Sequence, residues 1–284
     1  MSDAWKTMAD NDLTRYAAVI NLYENFHLGT ITAKDLANVL LEFLTHEKNE
    51  LIASTTCSFV GDVMACLDRK ERAATEQRLF EMSQQHPLQS VRQTLLRQLS
   101  LHAVSPTVVD KMDEIWKKQS AAFLNPRDYM RMAYHLAILM PAQWEDILST
   151  QRSRLDGADL LREFDFVSRG CNPDPAVQQK LFNSLLLPEN RRVEPYASAL
   201  LSLLNHPTRE PLSNRYILPA LEILEEIQRT GDIFFPLDWC QSLLSGHHSR
   251  EASQQVKQFE TTHPDLPEPL LNKLRQAAYR LKNH

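Results

Sequence analysis

Only 6 of the 284 residues are glycine, about a third of the usual frequency of roughly 7%. Glycine lets the backbone enter φ > 0 or approach another group closely, so phosphate-cradling loops, nucleotide-binding folds and sheets with many tight turns all consume it. A chain this poor in glycine is steered toward helices joined by short connections. Its prolines mark the boundaries: Pro87, Pro106, Pro126, Pro141, Pro175, Pro195, Pro236 and Pro264 each stand where one periodic stretch stops or another begins.

Hydrophobic spacing agrees. In "NRYILPALEILEEIQRTGD", Ile217, Ala220, Leu221, Leu224 and Ile227 fall three and four apart, which predicts one amphipathic helix that Gly231 terminates. Leu88, Val91, Leu95 and Leu99 repeat the pattern. Thr32 and Asp35 form a capping-box-like start, and Asn125 stands as a cap with Pro126 at the first helical position. The best strand signal, Asp232 to Leu237, is short and contains Pro236, so it reads as an apolar plug between helices. The result is about fifteen helices of about a dozen residues each. The expected fold is all-α, a right-handed stack of short antiparallel helix pairs forming a curved HEAT-like solenoid or bowl. Residues 1–11 read as a mobile lead or a join to an upstream domain, and residues 12–284 as a single helical-repeat domain.

Charge and cysteine content narrow the function. With 31 basic against 36 acidic residues and a net charge of -5, the chain lacks the basic excess that phosphate recognition needs, so no nucleic-acid partner is expected. No apolar run reaches membrane-spanning length and no signal-peptide pattern opens the sequence, so no membrane partner is expected and the compartment is left open. Cys57, Cys66, Cys171 and Cys240 form no C-x-x-C pair and read as small buried hydrophobes.

Helical enzymes use a short list of chemistries, each with a spacing that can be checked. A zinc-peptidase helix needs H-E-x-x-H, so that two histidines four apart reach one ion. The sole His-Glu dipeptide, His46 and Glu47, has Glu50 where the second histidine belongs, and reads as a solvated, charge-rich helix end. Di-iron sites need Glu-x-x-His on two helices plus further carboxylates. Glu24 with His27 and Glu260 with His263 match the spacing, but both lie at helix ends, where a histidine meets the C-terminal dipole favourably. His-Asp and Asp-Asp pairs are absent, and the glycines permit neither a nucleophile elbow nor a P-loop. "GHHS" reads as a loop before a helix capped by Ser249. No cofactor or metal is expected in this chain. Arg191, Arg192, Arg209 and Arg215 are the candidate binding residues, because guanidinium groups grip carboxylates bidentately.

The run from Ser198 to Pro264, "SALLSLLNHPTREPLSNRYILPALEILEEIQRTGDIFFPLDWCQSLLSGHHSREASQQVKQFETTHP", resembles the closing helical domain of aminopeptidase-N-like zinc metallopeptidases. "LLNKLRQAAYRL" extends the match, and "LTRYAAVINLYENFHLGTITAKDL" is similar to the segment that opens that domain, so the likeness spans Leu13 to Leu281. Its most distinctive part is "EIQRTGDIFFP" followed by Trp239. The resemblance implies a helical bowl that covers a thermolysin-like catalytic domain and shapes the peptide chamber. The family's G-x-M-E-N and H-E-x-x-H motifs are missing here, so zinc and bond cleavage would belong to a catalytic domain of the same polypeptide. On its own the chain is expected not to be an enzyme. Its expected partners are that catalytic domain and the peptide substrate, whose carboxylate the four arginines would contact. The alternatives are an independent helical-repeat scaffold for protein partners and a metal enzyme of unrecognised type.

Overall fold

The computed structural model describes residues 11–283, so the expectation for residues 1–10 lies outside the described residues. The protein is all-α, with no strand among the described residues. The first helices are α1 (Asp12–His27), α2 (Ala33–His46), α3 (Glu50–Met64), α4 (Arg69–Gln85), α5 (Gln89–His102), α6 (Pro106–Lys118) and α7 (Pro126–Leu139). Next come α8 (Trp144–Ser153), α9 (Ala158–Val167), α10 (Pro175–Leu185), α11 (Glu194–Leu204) and the short α12 (Glu210–Ser213). The chain ends with α13 (Ile217–Glu222), α14 (Leu224–Thr230), α15 (Phe235–Leu244), α16 (Arg250–Thr262) and α17 (Glu268–Ala277). Among the described residues no helix is long and apolar enough to cross a membrane.

The caps read from sequence are in place. The Thr32 hydroxyl accepts from the Asp35 amide, the Asn125 side chain from the Asp128 amide and Ser249 from the Ala252 amide, each satisfying a donor that the first helical turn leaves unpaired. The stripe from Ile217 to Ile227 is buried as expected, but on two helices rather than one. Between α13 and α14 the backbone opens at Ile223 (φ -95°, ψ 8°). Gly231 does end α14, though in extended conformation. Its small size matters because a Cβ there would meet the Phe235 ring at 2.6 Å. The 232–237 stretch is only half a plug: Phe235 is buried and opens α15, whereas Ile233 and Phe234 are 70% and 66% exposed.

The helices gather into two compact units that divide between Leu136 and Ala137. The division falls inside α7, where no glycine, proline or change of composition marks it in sequence. In the first unit each early helix packs on the next and the next but one: α1 on α2 and α3, α2 on α3 and α4, α3 on α5, and α4 on α5 and α6. In the second, α15 is the hub, packed by α11, α13, α14 and α17. Its Trp239 is fully buried and donates its indole N–H to the Ala220 carbonyl at 3.0 Å. Cys57, Cys171 and Cys240 are buried thiols, pushed up to about 12 by loss of water, which suits packing and not nucleophilic chemistry.

Two glycines separate packing from backbone strain. At Gly246 a Cβ would lie 1.7 Å from the Asn205 carbonyl oxygen, whereas Gly29 (φ 74°) has open space around it. Gly246→Ala is expected to lower stability by about 3 kcal/mol or more, and Gly29→Ala by about 1–2 kcal/mol, the cost of a side chain in the left-handed region. Urea unfolding of the two variants checks this; equal losses would contradict the close approach at Gly246.

Candidate functional site

The four candidate arginines lie in the second unit, and the structure gives them different work. Arg191 follows the 3-10 turn Pro188–Asn190 and is 4% exposed. One guanidinium nitrogen donates to the Leu185 carbonyl at 2.7 Å, another pairs with the Glu226 carboxylate, and its carbon lies 5.7 Å from the centre of the Trp239 ring. That is a satisfied buried cation, stacked on the hub tryptophan. Arg209, 9% exposed, has no carboxylate partner among the described residues. Its two terminal nitrogens donate instead to the carbonyls of Gly170, Leu203, Cys171 and Asn172 at 2.5, 3.1, 3.0 and 3.2 Å. Burial lowers its affinity for the proton, and the four carbonyl dipoles offset that cost while closing the ends of α11 and of the 3-10 turn Ser168–Cys171.

The other two face water. Arg192 is exposed and makes no hydrogen bond or ion pair among the described residues. Arg215 is exposed, lies 5.2 Å from the centre of the Tyr216 ring and donates weakly to the Pro175 carbonyl at 3.5 Å. Arg209 and Arg215 therefore reach the same connection, residues 170–175, while Arg191 is tied to α10, α14 and α15. Arg192 and Arg215 have donors to offer a ligand carboxylate; Arg191 and Arg209 commit theirs within the protein. A cleft of about 350 Å³ opens beside α16 and α17, lined by Val256, Lys257, Glu260 and Arg275 among others, and none of the four arginines lines it.

The histidine–acid pairs separate in space or meet other partners. His46 is exposed and 3.3 Å from Glu42, and Glu50 is exposed as well. Glu47 is not part of a solvated helix end: it is buried, accepts from the Lys48 and Asn49 amides at 2.9 and 2.7 Å, and takes Arg15 of α1 at 2.8 Å. His27 ends α1 with its ring edge-on to Tyr23. Glu260 pairs with Arg275 at 3.1 Å, and His263 points to Glu222 at 3.2 Å. Among the described residues no group of three or more His, Cys, Asp or Glu side chains is placed to hold a metal ion.

Three further buried or half-buried carboxylates work as Glu47 does. Glu76 of α4 is 0% exposed, accepts from the Val104 and Ser105 amides at 3.0 and 2.8 Å and pairs with Arg72 at 3.0 Å. Asp128 of α7 takes Arg97 of α5 through two bonds of 2.7 and 2.9 Å and accepts from the Asn125 amide. Glu210 of α12 accepts from the His248 and Ser249 amides at 2.9 and 2.7 Å. The Arg72–Glu76 and Asn125–Asp128 contacts follow local spacing, whereas Arg97 and the amides at 104–105 and 248–249 are distant partners that spacing does not signal.

Burial pushes Glu47, Asp128 and Glu210 up, but Arg15, Arg97 and the Ser249 side chain, together with the loop amides, hold each below the ordinary carboxylate value of 4.5 for Glu or 3.8 for Asp. A depressed folded value means stability that is present above the ordinary value and is lost as pH falls through the folded one. Urea midpoints are therefore expected to hold steady near pH 6 and to decline below about pH 4.5. Glu47→Gln and Asp128→Asn are each expected to cost about 2–3 kcal/mol at pH 6 and to flatten the acid decline; a variant with an unchanged pH slope would contradict the assignment. Compared with known protein families and with curated proteins, the chain matches none.

Proposed function

We propose that this chain is the non-catalytic, C-terminal helical domain of an aminopeptidase-N-like zinc enzyme, and that it shapes the chamber holding the peptide and limits access to it. Bond cleavage and zinc belong to a catalytic domain of the same polypeptide, which together with the peptide is the partner of this domain. The observation that carries the reading is the stretch Glu226 to Pro236 with Trp239, the most distinctive part of the resemblance. In it Glu226 pairs with Arg191, Gly231 ends α14, Asp232 accepts from the Phe234 and Phe235 amides at 2.7 and 3.0 Å, and Trp239 sits at the centre of the core. In this chain the run serves the domain's build, through a salt bridge, a helix end, a turn and a core anchor.

The finer architecture, a right-handed stack of antiparallel helix pairs curving into a HEAT-like solenoid or bowl, is part of the proposal. It is supported by the order of packing in the first unit, where helices meet their nearest neighbours in sequence. The contribution to catalysis would be orientation and exclusion. Arg192 and Arg215, the outward pair, are the side chains suited to a peptide's terminal carboxylate. The second reading, an independent scaffold for protein partners, is favoured by the adjacent exposed side chains Ile233 and Phe234.

Joining the domain to its catalytic half is expected to change kcat/KM on long peptides by about tenfold or more relative to that half alone. Arg192→Ala with Arg215→Ala in the joined protein should raise KM by about tenfold for peptides ending in a free carboxylate and leave amidated peptides unaffected. Equal rates and selectivity with and without the domain would favour the scaffold instead.

A further inference from the structure

The link before α16 holds an arrangement that one protonation state satisfies. His247 has a side chain that is 0% exposed. Its Nδ1 lies 2.9 Å from Oδ1 of Asn214, and its Nε2 lies 2.9 Å from Oδ1 of Asn205. The far end of each amide fixes which atom faces the ring. Asn205 donates through Nδ2 to the Leu201 carbonyl at 2.9 Å, and Asn214 donates through Nδ2 to the Glu251 carboxylate at 2.9 Å. Neither a carbonyl nor an ionised carboxylate can donate in return, so turning either amide would set oxygen against oxygen. Both ring nitrogens therefore face acceptors, and only a ring with two N–H groups satisfies both.

We infer that His247 is held as an imidazolium, a charged latch that ties the end of α11, the 3-10 turn Asn214–Tyr216 and the link before α16 to one another, and that this latch loosens as the ring loses a proton. The titratable groups around it are Glu210 from α12, whose Oε1 is 3.8 Å from Nδ1, Glu251 of α16 behind Asn214, and His248, the next residue along the chain. The Glu210 carboxylate supplies the opposite charge, while a charged His248 would oppose it.

Burial is the largest influence against the charged ring, and together with the opposing attraction of Glu210 and the repulsion of His248 it pulls the ring down to about 4; the two amide oxygens 2.9 Å from the ring nitrogens act the other way. A neutral ring here loses more than water. It presents a lone pair to an amide oxygen 2.9 Å away, it forfeits the attraction of Glu210, and relief by turning an amide strands Leu201 or Glu251 against an oxygen. The link is closely approached at Gly246, where a Cβ would overlap the Asn205 carbonyl. The hydrogen-bond pattern decides the state of the ring.

The sign follows from linkage. A histidine raised above its ordinary value of about 6.5 contributes stability that is complete below that value and is lost as pH rises through the folded one. The segment released is 205–216, which carries Arg215. The test is a pH titration of the ring nitrogens in the ¹⁵N-labelled full chain by long-range ¹H–¹⁵N correlation. Assignment comes from nuclear Overhauser contacts to the Asn205 and Asn214 side-chain amides, so no variant has to fold. The expected result is two protonated ring nitrogens at pH 6.5 and a midpoint above it. A midpoint at or below 6.5 overturns the inference. In the variant Asn214→Leu, which removes one acceptor, the midpoint should fall by one pH unit or more; an unchanged midpoint would likewise count against it.

Discussion

A protein built from short helices has many helix ends, and each end carries backbone groups that the helix cannot pair. Where those ends are buried, something other than water must meet them, at a cost of about 1–3 kcal/mol for each group left unmet. Here ionised side chains from other elements do it. Glu76 of α4 takes the amides of Val104 and Ser105 between α5 and α6, and Arg72 of the same helix takes the His102 carbonyl that closes α5. Glu210 does the same for the link before α16, while Glu47 closes the link between α2 and α3 and binds Arg15 of α1. Arg209 is the mirror case, a guanidinium closing carbonyl ends. Glu47 and Glu76 each meet an arginine as well as amides, which is what makes a buried charge tolerable.

Much of the framework is legible along the chain because caps, stripes and proline boundaries depend on residues a few positions apart. Thr32, Asn125 and Ser249 cap as their spacing implies, and the apolar stripe around Leu221 is buried. What escapes is whatever depends on partners far apart in sequence. Glu47 has the local setting of a solvated helix end, and its burial follows from Arg15. Arg191 and Arg209 look like Arg192 and Arg215 in sequence, yet Glu226, Trp239 and the 170–172 carbonyls draw the first two inside. His247 is read as a loop residue because nothing nearby announces Asn205 and Asn214. The break at Ile223 leaves the stripe in phase, so periodicity does not register it.

These fastenings bear on the proposed role. A domain that positions a peptide for chemistry performed elsewhere needs a surface that keeps its shape, since orientation is the whole of its contribution. Connections held by charged side chains are stiffer than connections held by solvent. Arg192 and Arg215 are presented by links that this network fixes, one beside the Arg191–Glu226 pair and the other within the segment that His247 holds. The same economy explains the scarcity of glycine: few links here need a left-handed residue, and Gly29 and Gly157 are the only glycines with positive φ among the described residues.

The central claim is that the connections are fastened from within, and amide hydrogen exchange reads it directly. The backbone N–H groups of Asn49, Val104, Ser105, His248 and Ser249 lie outside regular helix, yet each is bound by a carboxylate. They are expected to exchange as slowly as amides in the middle of α3 and α15 at neutral pH, since opening them requires the surrounding unit to open. Exchange at the rate of solvent-exposed loops, with the helices protected, would contradict the account.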